Sequence, residues 1–168
     1  MVAGEVDDLA RRADVGSLFS RPVLPSRMTA RVERSFEVDG SVEEVWAYIS
    51  DPGNRADAIS VVERWETEGE ETVWHLELPI PLVGGTVAVR TRDVEREPPE
   101  RVKFTGRSSV MQVTGEHRLE ATEGGTRVVN SFAVDGRLPG VEGFFKRNLD
   151  GELDNLQRAL EAYLEADG

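Results

Sequence analysis

The chain of 168 residues contains no cysteine, which excludes a disulfide framework and a thiolate nucleophile. It also lacks any apolar run long enough to cross a membrane. Its first residues, MVAGEVDDLARR, are acidic and lack the basic start and apolar stretch of a signal peptide. A chain of this length is most often one domain. We therefore expect a soluble cytoplasmic protein with one domain.

Basic residues are few, twenty against thirty-two acidic ones, and the formal net charge is −12. Only Lys103 and Lys146 are lysines; the other basic residues are arginines. Such a surface repels phosphate backbones, so we expect no nucleic-acid partner. An ordinary acidic cytosolic protein fits this balance. We favour a halophilic protein, because molar salt screens the self-repulsion of a highly charged chain.

Residues 1–29 differ from the rest of the chain. They contain one weak helical stretch over Val6–Ala13 and then the segment SRPVLPSR, whose two prolines discourage a continuous element. We predict a loosely ordered extension over 1–29 and a single ligand-binding domain over 30–168.

From Thr29 onward the chain becomes regular, and period-2 alternation predicts strands. Ser41 and Glu44 form a capping box, which predicts the start of a helix. In the C-terminal segment, apolar residues recur every three or four positions, which predicts one long amphipathic helix. The predicted elements are a strand ending at 38, a helix from 42 to 51, strands over 60–67, 72–78, 86–97, 101–106, 109–121 and 127–136, and a helix over 139–166.

The connections between the strands from residue 60 onward are short enough for hairpins, which predicts an antiparallel meander. A sheet of six to seven strands curls, and only the terminal helix is long enough to cover its concave face. We predict an α+β helix-grip fold: a curved antiparallel sheet wrapped on a long C-terminal helix, with short helices after the first strand.

Four segments resemble the START/Bet v 1-like (SRPBCC) superfamily, in particular its polyketide cyclase/dehydrase and lipid-transport branch. They are FEVDGSVEEVWAYISDP, EREPPERVKFTG, GEHRLEATEGGTRVVNSFAVDG and LPGVEGFFKRNLDGELDNLQRALEAYL. The resemblance implies a cavity between the sheet and the long helix. It also implies a carrier of a small hydrophobic molecule such as a lipid, isoprenoid, quinone or polyketide-like compound, without a cofactor. The alternatives are a cyclase/dehydratase-like enzyme that uses the same cavity and an accessory protein that docks on a partner.

Apolar residues on the inward phase of the strands and on the helix stripe are the candidate ligand contacts, although plain core packing explains each of them equally well. These candidates are Trp74, Leu76, Val87, Val89, Phe104, Met111, Val113, Phe132, Phe144, Phe145 and Leu149.

Two polar residues share the inward phase: His117 lies between apolar neighbours of its strand, and Asn130 shares a face with Phe132. They are candidates to hydrogen-bond a carbonyl or hydroxyl group of the ligand. His117 is also the one attractive acid/base if the protein is an enzyme. A satisfied or exposed histidine is the simpler interpretation, since a bulge or bend at Gly115 shifts the phase.

The loop over 79–85 carries Ile80, Leu82 and Val83 where polar residues are usual. Packing against the helix end explains them, and a gate over the cavity or a contact for a protein partner or a membrane is the functional alternative. We expect no metal site, because the two histidines lie on separate strands and no cysteine is available.

Overall fold

The computed structural model describes residues 29–81, 83 and 85–167. Of the extension predicted over 1–29, residues 1–28 lie outside this part, and Thr29 is the first residue of a strand. The elements follow the predicted order. They are β1 (Thr29–Val38), α1 (Val42–Ile49), α2 (Pro52–Asp57), β2 (Val62–Glu68), β3 (Glu71–Glu77), β4 (Thr86–Glu97), β5 (Arg101–Arg107), β6 (Met111–Thr122), β7 (Gly125–Gly136) and α3 (Val141–Asp167).

Seven strands form one antiparallel sheet in the order β1-β7-β6-β5-β4-β3-β2. Strands β2 to β7 form the predicted meander, and β1 pairs with the last strand, β7, along its whole length. The long helix α3 lies across the curved sheet and packs mainly on β1 and β7. The helix-grip prediction is therefore confirmed, with seven strands.

Local capping explains the two short helices between β1 and β2. The Ser41 side chain accepts from the backbone N–H of Glu44, and the Glu44 carboxylate accepts from the N–H of Ser41, so both halves of the capping box are present. Asp51 caps α2 through the N–H of Gly53, and Pro52 occupies the first turn. The Asp-Pro pair that ends α1 thus also starts α2.

Gly115 does not form the bulge that the sequence suggested, because β6 pairs with β5 and β7 without a register shift there. The shifts lie elsewhere, in β2 and between Asp93 and Glu95 of β4. Glycine is needed at 115 for space: a Cβ atom there would lie 2.3 Å from Cε1 of Phe104. The missing side chain lets the Phe104 ring lie against β6.

The core consists of two clusters. The loop-side cluster lies under β3, β4 and the first turns of α3, and the helix-side cluster lies between α1, β1 and the rest of α3. Val32 and Phe132 contact both clusters. The loop-side cluster includes Trp74, Leu76, Val89, Met111, Val113, Phe145 and Leu149, and the helix-side cluster includes Phe36, Val45, Ile49, Leu153, Leu156 and Leu160.

Candidate functional site

His117 points into the molecule from the middle of β6, as its phase predicted, and only 1% of its surface is exposed. Gly115 keeps the strand in register, so the predicted alternation runs on unbroken to His117. Its ring lies 5.5 Å from the ring of Phe132 and 6.3 Å from that of Phe104, measured between centroids. The imidazole therefore lies among aromatic rings under α3.

Asn130 on β7 fixes the orientation of this ring. Its side-chain amide nitrogen donates to the backbone oxygens of Arg34 and Val128, at 3.1 and 3.3 Å. The amide oxygen therefore faces His117 Nδ1 at 2.7 Å and accepts its proton. Asn130 is fully buried, so water does not compete for these bonds. The neutral tautomer with the proton on Nδ1 follows.

The second ring nitrogen, Nε2, has no hydrogen-bond partner although it is buried. Burial and the positive charge of Arg55 lower the pKa of His117 to about 4, while the bond to Asn130 acts in the opposite direction. At neutral pH the imidazole is therefore uncharged, and Nε2 carries a free lone pair. A buried acceptor without a partner costs free energy, about 1–3 kcal/mol by analogy with other orphaned groups.

Arg55 on α2 is the second polar group of the site. It donates to the backbone oxygen of Ile49 at 2.8 Å and forms an ion pair with Asp93, and its guanidinium lies 5.1 Å from the centroid of Phe104. Its Nε–H group is buried without a partner. Burial lowers the pKa of Arg55, whereas Asp93 raises it. The ion pair keeps the cation in place beside the aromatic rings.

A pocket lies where the two core clusters meet, between β5, β6, β7, the end of α2 and the middle of α3. Its cavity volume is about 40 Å³, room for a few water molecules at most. The cavity that the resemblance implied is thus present but far smaller than the several hundred Å³ typical of ligand sites. Its lining consists of Arg55, Ala58, Ile59, Phe104, His117, Phe132, Leu149, Glu152, Leu153 and Leu156.

Four of the predicted contact residues meet at this pocket: Phe104, His117, Phe132 and Leu149. Asn130 lies behind His117 and does not line it. Phe144 is half-buried, packs against the loop-side cluster and lies 5.1 Å from Phe145 between ring centroids. The remaining candidates are buried in the loop-side cluster away from the pocket lining: Trp74, Leu76, Val87, Val89, Met111, Val113 and Phe145.

Sequence reasoning did not identify Arg55, Ala58 and Ile59 as pocket residues. The stretch NRADAI has no clear period and was compatible with a short helical or an irregular piece; residues 54–57 form the last turn of α2. Arginine is rarely buried, so its type gave no sign of an inward position. The one signal was the Asp-Pro-Gly start, which is typical of a new helix.

The loop over 79–85 turns its described apolar side chains inward. Ile80 is 7% exposed and belongs to the loop-side cluster, and Val83 packs against the same cluster. Leu82 lies outside the described residues. Ile80 and Val83 thus contribute to the hydrophobic core.

The sequence matches a family described as polyketide cyclase / dehydrase and lipid transport over residues 29–161. The match covers nearly all of the described domain. The chain belongs to this family. The family assignment agrees with the START-like resemblance of the sequence segments, and comparison with curated proteins finds no match.

Solved structures share the family's fold at low sequence identity. A conserved protein from Geobacillus kaustophilus is 18% identical, with a TM-score of 0.65, over 82% of this chain and 95% of its own. The Zhui aromatase/cyclase of a Streptomyces species is 18% identical, with a TM-score of 0.65, over 83% and 98%. A START superfamily protein from Mycobacterium smegmatis is 14% identical, with a TM-score of 0.64, over 82% and 99%. These likenesses establish the START-like fold.

No helix among the described residues combines the length and the apolar character that a membrane crossing requires. No group of three or more histidine, aspartate or glutamate side chains lies together in the described part as metal ligands would.

Proposed function

We propose that this family member binds a small, mostly apolar molecule whose polar end carries a hydroxyl group, and that His117 Nε2 accepts the hydrogen bond of that hydroxyl. The observation that carries the proposal is the buried, unpartnered Nε2 of a neutral histidine in a pocket lined mostly by apolar side chains. A ligand hydroxyl would supply the missing donor and remove the cost of the orphaned acceptor.

Arg55 extends the description of the ligand. Its unpartnered Nε–H is a donor, and Arg55 lines the same pocket as the acceptor on His117. One donor and one acceptor together suit a molecule that carries a hydroxyl close to a carbonyl oxygen. The surrounding Phe104, Phe132 and leucine side chains would hold its apolar body.

The alternative function, a cyclase/dehydratase-like enzyme, would use His117 as the acid or base. A general base works best when its pKa lies near the working pH. The pKa of His117 is lowered to about 4, mainly by burial, so the imidazole is a weak base. This property favours a hydrogen bond to a ligand over removal of its proton, and binding is our first choice.

Docking on a protein partner through the loop over 79–85 has less support. The described apolar residues Ile80 and Val83 pack into the core. Leu82→Asp distinguishes ligand binding from docking on a partner. Ligand affinity of the pocket should be unchanged in this variant, whereas affinity for a partner that docks through the loop should fall.

The test uses two matched probes, 1-naphthol and 1-methoxynaphthalene, in calorimetric titrations. Both have the same ring system, and only the first can donate a hydrogen bond. We expect the wild type to prefer 1-naphthol by about tenfold, the equivalent of one hydrogen bond. The His117→Phe variant should bind both probes alike. The proposal is wrong if neither probe binds, or if the preference persists without His117.

A further inference from the structure

The wall of the pocket between α2 and α3 is formed by a short chain segment and the middle of the long helix. Ala58 and Ile59, in the connection from α2 to β2, line one side. Glu152 and its apolar neighbours on α3 line the other side. The pocket therefore ends at a seam between two elements that are far apart in sequence.

One side chain bridges this seam. The Glu152 carboxylate accepts from the backbone N–H of Ser60 through one oxygen and from the Ser60 hydroxyl through the other, both at 3.0 Å. Asn155, one turn later on α3, donates to the first of these oxygens at 2.8 Å and holds the carboxylate in place. We call this contact the Ser60–Glu152 clasp. Its bonds to Ser60 are exposed to solvent.

The opposite edge of α3 is attached more firmly. The helix packs mainly on β1 and β7. Arg34 of β1 donates to the backbone oxygen of Asp150 at 2.9 Å and forms an ion pair with Asp154. Strands β1 and β2 are the two outer strands of the sheet, so α3 is fixed on the β1 side and clasped on the side of β2.

The size of the pocket requires an opening. A volume of about 40 Å³ is smaller than the cavity that holds a single benzene ring, about 150 Å³. A larger ligand enters only if lining elements move apart. Exposed hydrogen bonds contribute little net free energy, because water replaces them when they break. The seam between residues 58–60 and Glu152 is the part of the pocket wall that exposed hydrogen bonds hold together.

We propose that the seam between residues 58–60 and Glu152 is the entrance to the pocket, and that the Ser60–Glu152 clasp holds it closed. Opening moves the Ala58–Ile59 segment away from α3 while β1 and β7 keep the helix attached. The loop over 79–85 does not serve as the entrance, because Ile80 is buried in the loop-side cluster and none of its described residues lines the pocket. The inference rests on the proposed function, since it gives the ligand its path.

The test measures access to His117 and needs no ligand. Diethyl pyrocarbonate transfers an ethoxycarbonyl group to a neutral imidazole nitrogen, and His117 offers only Nε2. Peptide mass spectrometry separates this modification from that of His75, which is the internal reference because its side chain is 15% exposed on the other face of β3. The rate at His117 therefore reports how often the pocket opens.

Two variants and their controls decide the proposal. Glu152→Met keeps the length of the side chain but removes both acceptor oxygens of the clasp, so His117 should react several-fold faster while His75 is unchanged. Glu161→Met, on the same helix away from the pocket, should match the wild type. Leu164→Ala destabilises the helix-side cluster with the clasp intact, and it shows how much of any increase comes from general unfolding.

The second variant joins Ser60→Cys to Glu152→Cys with a short reagent that links two thiols. The chain has no other cysteine, so the link is specific. His117 should then react more slowly than in the same variant with both thiols capped separately. Equal rates at His117 in linked and capped protein, or no acceleration in Glu152→Met, would overturn the proposal. If these rates change as expected but neither naphthalene probe binds, the entrance stands and the proposed function fails.

Discussion

The Nδ1 atom of His117 and the Oδ1 atom of Asn130 lie 2.7 Å apart in the part of the structure that water does not reach. Two backbone oxygens bind the amide nitrogen of Asn130, so its oxygen is turned toward the ring. The only N–H group of the neutral imidazole therefore donates to Asn130. Its other nitrogen, Nε2, is an acceptor that faces no hydrogen-bond partner in the residues that line the pocket.

Replacement of Asn130 by Asp should raise the pKa of His117 above its present value of about 4. A buried carboxylate beside Nδ1 favours the charged imidazole. NMR titration of the ring signals measures the change. A pKa of His117 that stays equal in Asn130→Asp and wild type would mean that the two side chains do not interact as described. Asn130→Leu is the matched control, because it removes the bond without adding charge.

His117 should make stability depend on pH between about 6.5 and 4. The unfolded chain binds a proton at His117 as the pH falls through about 6.5, whereas the folded chain binds it only near pH 4. Between these values the unfolded state holds more protons, so the free energy of unfolding falls as the pH falls. From about pH 7 to about pH 5 the loss should be about 2 kcal/mol. Urea unfolding of wild type and His117→Gln checks this, and parallel pH curves would contradict it.

A methyl group at Gly115 should destabilise the fold by about 1–3 kcal/mol, as overpacking does in other cores. The new Cβ would lie 2.3 Å from Cε1 of Phe104 and 3.0 Å from Cε1 of Phe132, so both rings must shift. Gly124→Ala is the control, since a Cβ there meets nothing within 4 Å. The urea midpoints of the two variants should differ clearly. Equal midpoints would show that the rings move without cost.

Loss of the Asp93 charge should destabilise the protein far more than loss of an exposed partner. Arg55 is buried, and Asp93→Asn leaves its charge without the carboxylate, which costs about 3–5 kcal/mol in comparable buried pairs. Glu70→Gln breaks the exposed pair with Arg92 and should cost at most about 1 kcal/mol. Thermal and urea unfolding compare the two variants. Similar losses of unfolding free energy in the two variants would mean that Asp93 does not anchor Arg55 as a buried cation.

The net charge of −12 should make the protein more stable in molar KCl than at low salt. Acidic side chains gather around one depression at the end of α3, where Asp39, Glu44, Glu161 and Glu165 meet. Replacing Glu161 and Glu165 by Gln should therefore raise stability at low salt and flatten the salt dependence. A wild-type free energy of unfolding that does not rise with KCl would refute the halophilic hypothesis.

Regular alternation made the fold predictable. The strand over 86–97 matches β4 at both ends, and the stripe of α3 placed Phe145, Leu149, Leu153 and Leu160 in the core. The same alternation gave the inward phases of His117 and Asn130. Such patterns follow from which face a residue occupies, and a single sequence records them well.

Alternation alone could not show which inward-facing residues line the pocket and which pack in the core. Trp74 and Met111 share the inward phase with His117, but they pack in the loop-side cluster, where the curvature of the sheet brings β3, β4 and α3 together. Arg55 enters the site through a helix of only six residues, whose sequence has no period. The pairing of Ser60 with Glu152 joins residues 92 positions apart, and neither has a local signal.

Native mass spectrometry with solvent extraction, on protein purified at high salt from its own cells, tests the central claim most directly. We expect an apolar molecule with a hydroxyl group at close to one copy per chain, and a marked loss of that molecule from the His117→Phe variant. A wild-type protein that is empty, or a molecule retained equally by both proteins, would contradict the claim that the His117 pocket is a ligand site.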